Sequence, residues 1–241
     1  MARRPVMSSL LRRKSGRLTD LVFLGAGGTA RDVLSLVEDL NRNQERYRCV
    51  AMLDDDEKLW GREIQGVPIV GPLADAKRFD SVQFVNTLGS PRNYHCRYEV
   101  PDRLGLSPKR FATLVHPTAS ISKSADIGEG AILLPHVILL SGVTIGTQVL
   151  ILAGSVLNHD VRIGDYAILA SAVNLSGAVE IGRYTYIGSG ACLIQGVRVG
   201  DHALVGMGSV VRKNVAPSTV VVGNPARILR KTVSTSSAQN D

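Results

Sequence analysis

The sequence predicts an α/β N-terminal domain followed by an all-β parallel β-helix, and three observations carry that prediction. Every sixth residue is aliphatic for seventeen consecutive hexads without insertion, from Val115, Ile121 and Ile127 through Leu157, Leu175 and Leu193 to Val211. The residue four places after each is only Ala, Ser, Thr or Val, from Ala119 to Val215. Ahead of the repeats, short apolar strands alternate with helical patterns. A helix repeats every 3.6 residues and a flat strand every two, so neither generates a two-position lock at period six. One large and one small inward residue per six is the pattern of a β-helix with a thin core.

Composition agrees. The chain has 241 residues, enough for one or two domains, and 44% of them are hydrophobic. Aromatics are only 5%, as suits a prism too narrow for large rings. No apolar run reaches the roughly 18 residues needed to cross a bilayer. Cys49, Cys96 and Cys192 are few, odd in number and widely spaced, which argues for a reducing cytoplasm and against a disulfide framework or zinc knuckle. The net charge of +7 is concentrated in residues 1–19, where Arg3, Arg4, Arg12, Arg13, Lys14 and Arg17 meet no acid. Such a stretch reads as a flexible basic leader rather than a nucleic-acid surface, and it lacks the apolar core of a signal peptide.

Taken in order, Leu21–Leu24 is a short apolar strand that runs into Gly25-Ala26-Gly27-Gly28. A helix follows, with Ala30, Val33, Leu34, Val37 and Leu40 on one face. Tyr47–Leu53 is a second strand, ending in Asp54-Asp55-Asp56, and Ser81–Leu88 a third, ending at Gly89-Ser90-Pro91. A helical stretch then runs to about Leu104. Strand–helix alternation implies a small Rossmann-like parallel sheet over residues 20–110. The repeats occupy 111–216. Pro217 breaks the period, residues 217–233 form a cap opening at Asn224-Pro225-Ala226-Arg227, and 234–241 form a polar, disordered tail.

Two groups of residues carry candidate chemistry. In an open parallel sheet, ligands bind beyond the carboxyl ends of the strands. Gly27 and Gly28 lie at such an end, where backbone N–H groups and the helix dipole favour a diphosphate. Asp54 or Asp55 can accept from a base or ribose, and Gly89 brings a third strand end to the same crevice. In the repeats the departure is Asn158-His159-Asp160. His159 is at the outward third position, and Asp160 can hold its imidazole in one tautomer. With three hexads per coil, residues eighteen apart stack about 4.8 Å apart, so His159 sits over Gly177, whose N–H can face a developing oxyanion. His116, His136 and His202 fall in other columns, so no metal triad stacks up, and Cys192 has no histidine in its column.

These features resemble the NeuD/PglD-like bacterial sugar acyltransferases of the hexapeptide-repeat superfamily. The likeness spans about residues 20–231 and is carried by the hexads, Gly25-Ala26-Gly27-Gly28, Leu53-Asp54-Asp55, Asn158-His159-Asp160-Val161-Arg162-Ile163-Gly164 and Gly223-Asn224-Pro225-Ala226. It implies a left-handed β-helix, a homotrimer, and active sites in the clefts between subunits. Acetyl-CoA would be the donor, with no metal, and a nucleotide-linked 4-amino-deoxysugar the acceptor. By that similarity His159 is the general base, Asp160 its partner and the Gly177 amide the thioester-oxygen site. Ile168, Ser189 and Met207 match positions that contact coenzyme A, and Gly27, Gly28, Thr29, Asp54, Asp55 and Gly89 match the nucleotide-sugar site. The family often has histidine where this chain has Thr29, and a basic residue near Tyr94 is displaced here to Arg92 or Arg97; both bear on sugar and nucleotide identity. Three other readings compete. They are an O-acetyltransferase acting on a sialic-acid type sugar, a metal-dependent lyase on the same prism and a non-catalytic hexapeptide scaffold.

Overall fold

The computed structural model describes residues 18–94 and 97–232. The leader 1–19, apart from its last two residues, lies outside the described residues, as do His95, Cys96, Val233 and the tail 234–241. The chain divides into two compact units, Met1–Leu88 with Pro101–Ala112, and Gly89–Val100 with Thr113–Asp241.

The first unit is built on a five-stranded sheet. Its strands are β1 (Thr19–Leu24), β2 (Tyr47–Leu53), β3 (Glu63–Ile64), β4 (Val67–Gly71) and β5 (Gln83–Asn86), in the order β3-β4-β2-β1-β5. β1 pairs in parallel with both β2 and β5, and β2 with β4. The strands are apolar because they are enclosed: Leu21, Val22, Phe23 and Leu24 are all fully buried. Helix α1 (Gly28–Asn41) buries Ala30, Val33, Leu34, Leu36 and Val37. Because the chain moves from β1 to one side and returns through β5 on the other, the sheet reverses direction at the carboxyl end of β1. That end is where the glycine loop lies. The third strand is shorter than the expected Ser81–Leu88, since its pairing stops at Asn86. The β3–β4 hairpin lies outside the predicted elements. Gln65 and Gly66 both have positive φ, 48° and 78°, as a two-residue hairpin turn requires.

In the second unit, seventeen two-residue strands run from β6 (Leu114–Val115) to β22 (Val210–Val211), one per hexad. Each pairs in parallel with the third strand along, as in Ile138↔Val156, Val156↔Asn174 and Asn174↔Cys192, so one coil takes eighteen residues and the prism has three sheets. The core contains the first and fifth positions of the hexads, from Ala131 and Leu133 to Val211 and Val215. Ser155, Thr185 and Ser209 occupy fifth positions at 0% exposure, and Ser155 Oγ donates to Ala170 O at 3.0 Å. Every fourth position from Gly130 to Gly208 has φ between 56° and 73°, which turns each corner. His136, Asp160, Tyr184 and His202 therefore hold a conformation most L-residues avoid.

After Val211 the period shortens. β23 (Thr219–Val222) pairs as Leu204↔Val220, a separation of sixteen, and β24 (Arg227–Lys231) folds back antiparallel on it. Residues 89–100, expected to end the α/β domain, group with the prism. There Tyr98 packs on Tyr184 with ring centroids 4.2 Å apart. The Tyr94 hydroxyl donates to His202 O at 3.1 Å. Arg97 is fully buried and donates through Nη2 to Gln148 O at 3.1 Å. Burial lowers its pKa to about 9, despite the opposing influence of Tyr166.

Candidate active site

The corner between β13 (Val156–Leu157) and β14 (Arg162–Ile163) carries Asn158, His159 and Asp160. Asn158 Nδ2 donates to Leu175 O at 2.8 Å, tying the turn to the next coil. His159 Nδ1 lies 2.9 Å from Asp160 Oδ2, with the two side chains 53% and 69% exposed. A carboxylate is an acceptor, so Nδ1 carries the proton in this pair and Nε2 is left as the basic nitrogen. A β-carbon on Gly177 would fall on His159 Nε2 and Cε1, so the ring fills the space that any other residue would claim. One coil earlier, a β-carbon on Gly142 would come within 2.6 Å of Asp160 Oδ1. Sequence reasoning missed Gly142, although the signal is arithmetic: it precedes Asp160 by eighteen. Among the described residues no protein acceptor engages the Gly177 N–H, whereas its carbonyl accepts from Gly196 N at 3.0 Å.

The three residues expected to contact coenzyme A lie elsewhere. Ser189 and Met207 occupy the third position at a different corner of the prism, and Met207 is 79% exposed. Ile168 is 1% exposed, and its N–H donates to Thr185 O. Its Cδ1 fills the space beside Gly89, whose φ is 147°, so packing accounts for that glycine. Within one chain this group and His159 are not brought together. A concavity of about 570 Å³ lies on the sheet face of Arg162, Glu180 and Arg198, and neither His159 nor Gly177 lines it.

In the first unit, the glycines divide by cause. Gly25 has φ 100°, and a β-carbon there would come within 2.9 Å of Leu88 Cδ2, so the fold itself needs it. A β-carbon on Gly27 or Gly28 would meet nothing within 4 Å, so protein packing leaves the space above them open. Gly27 caps α1 without a side-chain hydrogen bond, and Thr29 sits half-buried in the first turn. Asp54 plays a structural part, because Oδ2 accepts from Ala26 N at 2.8 Å and Oδ1 from Asp56 N at 2.9 Å, which fixes the loop. Asp55 accepts from Leu73 N at 2.9 Å and lies 3.5 Å from Arg103. Burial and Glu38 push the Cys49 thiol up to about 12, which removes it as a nucleophile. His116 accepts from Thr118 N at 3.0 Å and serves its own turn. Among the described residues no group of three or more His, Cys, Asp or Glu is placed to hold a metal ion.

The PglD N-terminal domain family matches residues 20–99, and the bacterial transferase hexapeptide family matches residues 178–213. Each family is matched over that segment of the chain alone. UDP-N-acetylbacillosamine N-acetyltransferase of Bacillus subtilis (strain 168) is 32% identical over 119 residues, which is 48% of this chain and 52% of that protein. The chain thus spans about half the length of that curated relative. The acetyltransferase domain of PglB from Neisseria gonorrhoeae FA1090, solved with acetyl coenzyme A, superposes with a TM-score of 0.77 at 26% identity. The match covers 88% of this chain and all of that one. PerB from Caulobacter crescentus, solved with CoA and GDP-perosamine, gives 0.75 at 28% identity over 88% of this chain and 97% of its own.

Proposed function

We propose that this chain is an acetyl-CoA-dependent N-acetyltransferase that acetylates the amino group of a nucleotide-linked amino-deoxysugar by direct transfer. The observation that carries the reading is the exposed His159–Asp160 pair, 2.9 Å apart, whose free nitrogen lies over Gly177. The relatives named above add the donor and acceptor classes.

His159 Nε2 takes a proton from the sugar amine as the amine nitrogen attacks the acetyl carbonyl. The new C–N bond forms a tetrahedral centre whose oxyanion rests on the Gly177 N–H, for which no acceptor among the described residues competes. The C–S bond then breaks, and the thiolate leaves with the proton that His159 holds. Asp160 keeps Nδ1 protonated throughout and balances the imidazolium.

The prism is left-handed and assembles as a homotrimer in this reading. Its support is the separation of His159 from Ile168, Ser189 and Met207, which a neighbouring copy would close by setting its own corner against this one. Gly27, Gly28 and Thr29 cradle the diphosphate of the acceptor nucleotide, supported by the open space above the two glycines.

The test is turnover of acetyl-CoA with UDP-, dTDP- and GDP-linked 4-amino sugars and with free sialic acid, using the chain and His159→Ala. Acetylation of one amino sugar, lost by about 10²–10⁴-fold in a variant that keeps its oligomeric state, is the expected result. Acetylation of sialic acid alone would transfer the chemistry to a hydroxyl. Near-normal turnover by His159→Ala would remove the imidazole from the mechanism.

A further inference from the structure

Tyr186, Leu204, Val220 and Arg230 stand in one register row across four strands of the sheet that ends at β24. Tyr94 sits beside the head of that row, its ring 5.8 Å from Tyr186 and its hydroxyl donating to His202 O. Beyond it, Arg92, Tyr94, Leu204, Val220, Arg230 and Thr232 line a concavity of about 240 Å³. Val220 is buried and both arginines are exposed, so the floor is apolar and the rim cationic.

No carboxylate lines this concavity, and among the described residues neither arginine is in an ion pair. Elsewhere on the prism, exposed arginines find acids eighteen residues away, as in Arg183–Asp201 at 3.1 Å and Arg198–Glu180 at 3.2 Å. Burial raises the Tyr94 phenol and Arg230 pulls it the other way, so the field of that cation reaches the wall. Two guanidinium groups from separate elements, with no acid between them, favour an anion. The place is apart from the candidate residues of the reaction. His202 precedes β21 (Leu204–Val205) and Met207 follows it, while Thr232 N donates to Ser218 O just ahead of β23. The concavity thus lies along the edge of the sheet opposite Met207, and neither His159 nor Asp54 lines it.

We infer that this concavity is a separate binding site for a compact organic carboxylate, its charge held by Arg92 and Arg230 and its hydrocarbon body set on Leu204 and Val220. The inference goes beyond the acetyltransferase reading and does not depend on it. Guanidinium groups accept carboxylate and phosphate alike, so the floor decides between them. A bare inorganic anion would leave Leu204 and Val220 uncovered, whereas a short hydrocarbon body removes them from water. Size sets the upper limit. Drug-sized ligands take pockets of about 300–1,000 Å³, and this one holds the volume of about eight waters. An intact sugar nucleotide is too large for it. An occupant that pairs with both arginines would clamp the loop at Arg92 to the end of the prism at β24.

Calorimetric titration of the full chain with sodium benzoate reads the site, because the ring covers the floor while the carboxylate reaches a guanidinium. One equivalent per chain binds with a Kd of about 1 mM or tighter, the range open to so small a ligand. Arg92→Ala/Arg230→Ala weakens binding about tenfold or more, as expected for lost charge-assisted hydrogen bonds. Arg230→Glu, a single exposed change, gives the same loss if the double variant fails to fold. Benzyl alcohol, which has no charge, and inorganic phosphate, which has no apolar body, each bind about tenfold more weakly than benzoate. Saturating acetyl-CoA leaves benzoate binding unchanged. No benzoate binding, or binding that ignores the arginine variants, overturns the proposal. Phosphate binding as tight as benzoate removes the organic body from it, and displacement of benzoate by UDP or GDP gives the concavity to the acceptor nucleotide; either result also overturns it. If benzoate binds through these arginines in a chain that transfers no acetyl group, the enzymatic reading fails and this site stands.

Discussion

The imidazole of His159 occupies the space in which Gly177 would carry a side chain, with Nε2 and Cε1 nearest. The two are one coil apart in the same column, so the ring's position depends on a missing β-carbon rather than on a hydrogen bond alone. Gly177→Ala therefore pushes the ring off the corner. We expect turnover to fall about 10²-fold or more, the cost of a misplaced catalytic group. Thermal melting of the variant should move little, because His159 is half exposed and can swing into solvent. Turnover within a few-fold of wild type would show that the ring's placement over Gly177 is irrelevant.

Asp160 is held from the other side, with Oδ1 against Gly142 and Oδ2 on His159 Nδ1. Asp160→Ala removes a charge-assisted hydrogen bond of about 1.5–3 kcal/mol, or roughly 10–100-fold, and should cost less than His159→Ala. Asp160→Asn keeps an acceptor and tolerates the φ of 60°, so it should retain more activity than the alanine variant. Steady-state rates of the three variants test the order His159→Ala, Asp160→Ala, Asp160→Asn from worst to best.

The prism was legible because its core repeats strictly: the pairing Val156↔Asn174 follows from spacing alone, and with it the placing of His159 over Gly177. Gly142 was available by the same arithmetic. The α/β unit was less legible because its strands are set by turns rather than by period. Gln65-Gly66 between Ile64 and Val67 was the overlooked hairpin signal. The sequence offers Asp54 as a candidate ligand residue and does not reveal that its carboxylate fastens Ala26 N, a contact across 28 residues outside any local pattern. The placement of Tyr94 and Arg97 against the repeats is of the same kind.

Asp54 yields a prediction on that ground. With both oxygens engaged by the backbone N–H groups of Ala26 and Asp56, Asp54→Ala releases the glycine loop without touching the prism. KM for the sugar nucleotide should rise about tenfold or more, the equivalent of one hydrogen bond to a charged group, with KM for acetyl-CoA unchanged. An equal rise in both constants would mean that the carboxylate supports the whole fold instead.

The repeats themselves set the stability scale. Leu169 is fully buried at a first hexad position, and Leu169→Ala leaves a void in a core too thin to collapse. The expected loss is about 2–5 kcal/mol in denaturant unfolding. A loss under about 1 kcal/mol would mean that the coil relaxes around the gap, as a soft rather than close-packed core does.

Tyr94 provides a pH test of the segment 89–100. Its ring is 3% exposed and its hydroxyl donates to His202 O, and burial pushes the phenol up from 10 to about 12 against an opposing pull from Arg230. The folded protein therefore keeps this proton where the unfolded chain has lost it. The stability that the neutral phenol contributes is complete below pH 10 and disappears as pH rises through about 12. Tyr186, whose ring lies 5.8 Å away, is raised by burial in the same direction. Tyr94→Phe should lose about 1 kcal/mol at pH 8, the worth of one hydrogen bond. Because phenylalanine does not titrate, the variant should then lose stability more slowly than wild type as the pH climbs above 10. Denaturant midpoints measured at pH 8, 10 and 11 compare the two slopes. Parallel slopes would mean that the Tyr94 phenol ionises freely, and that the segment does not hold it against the prism.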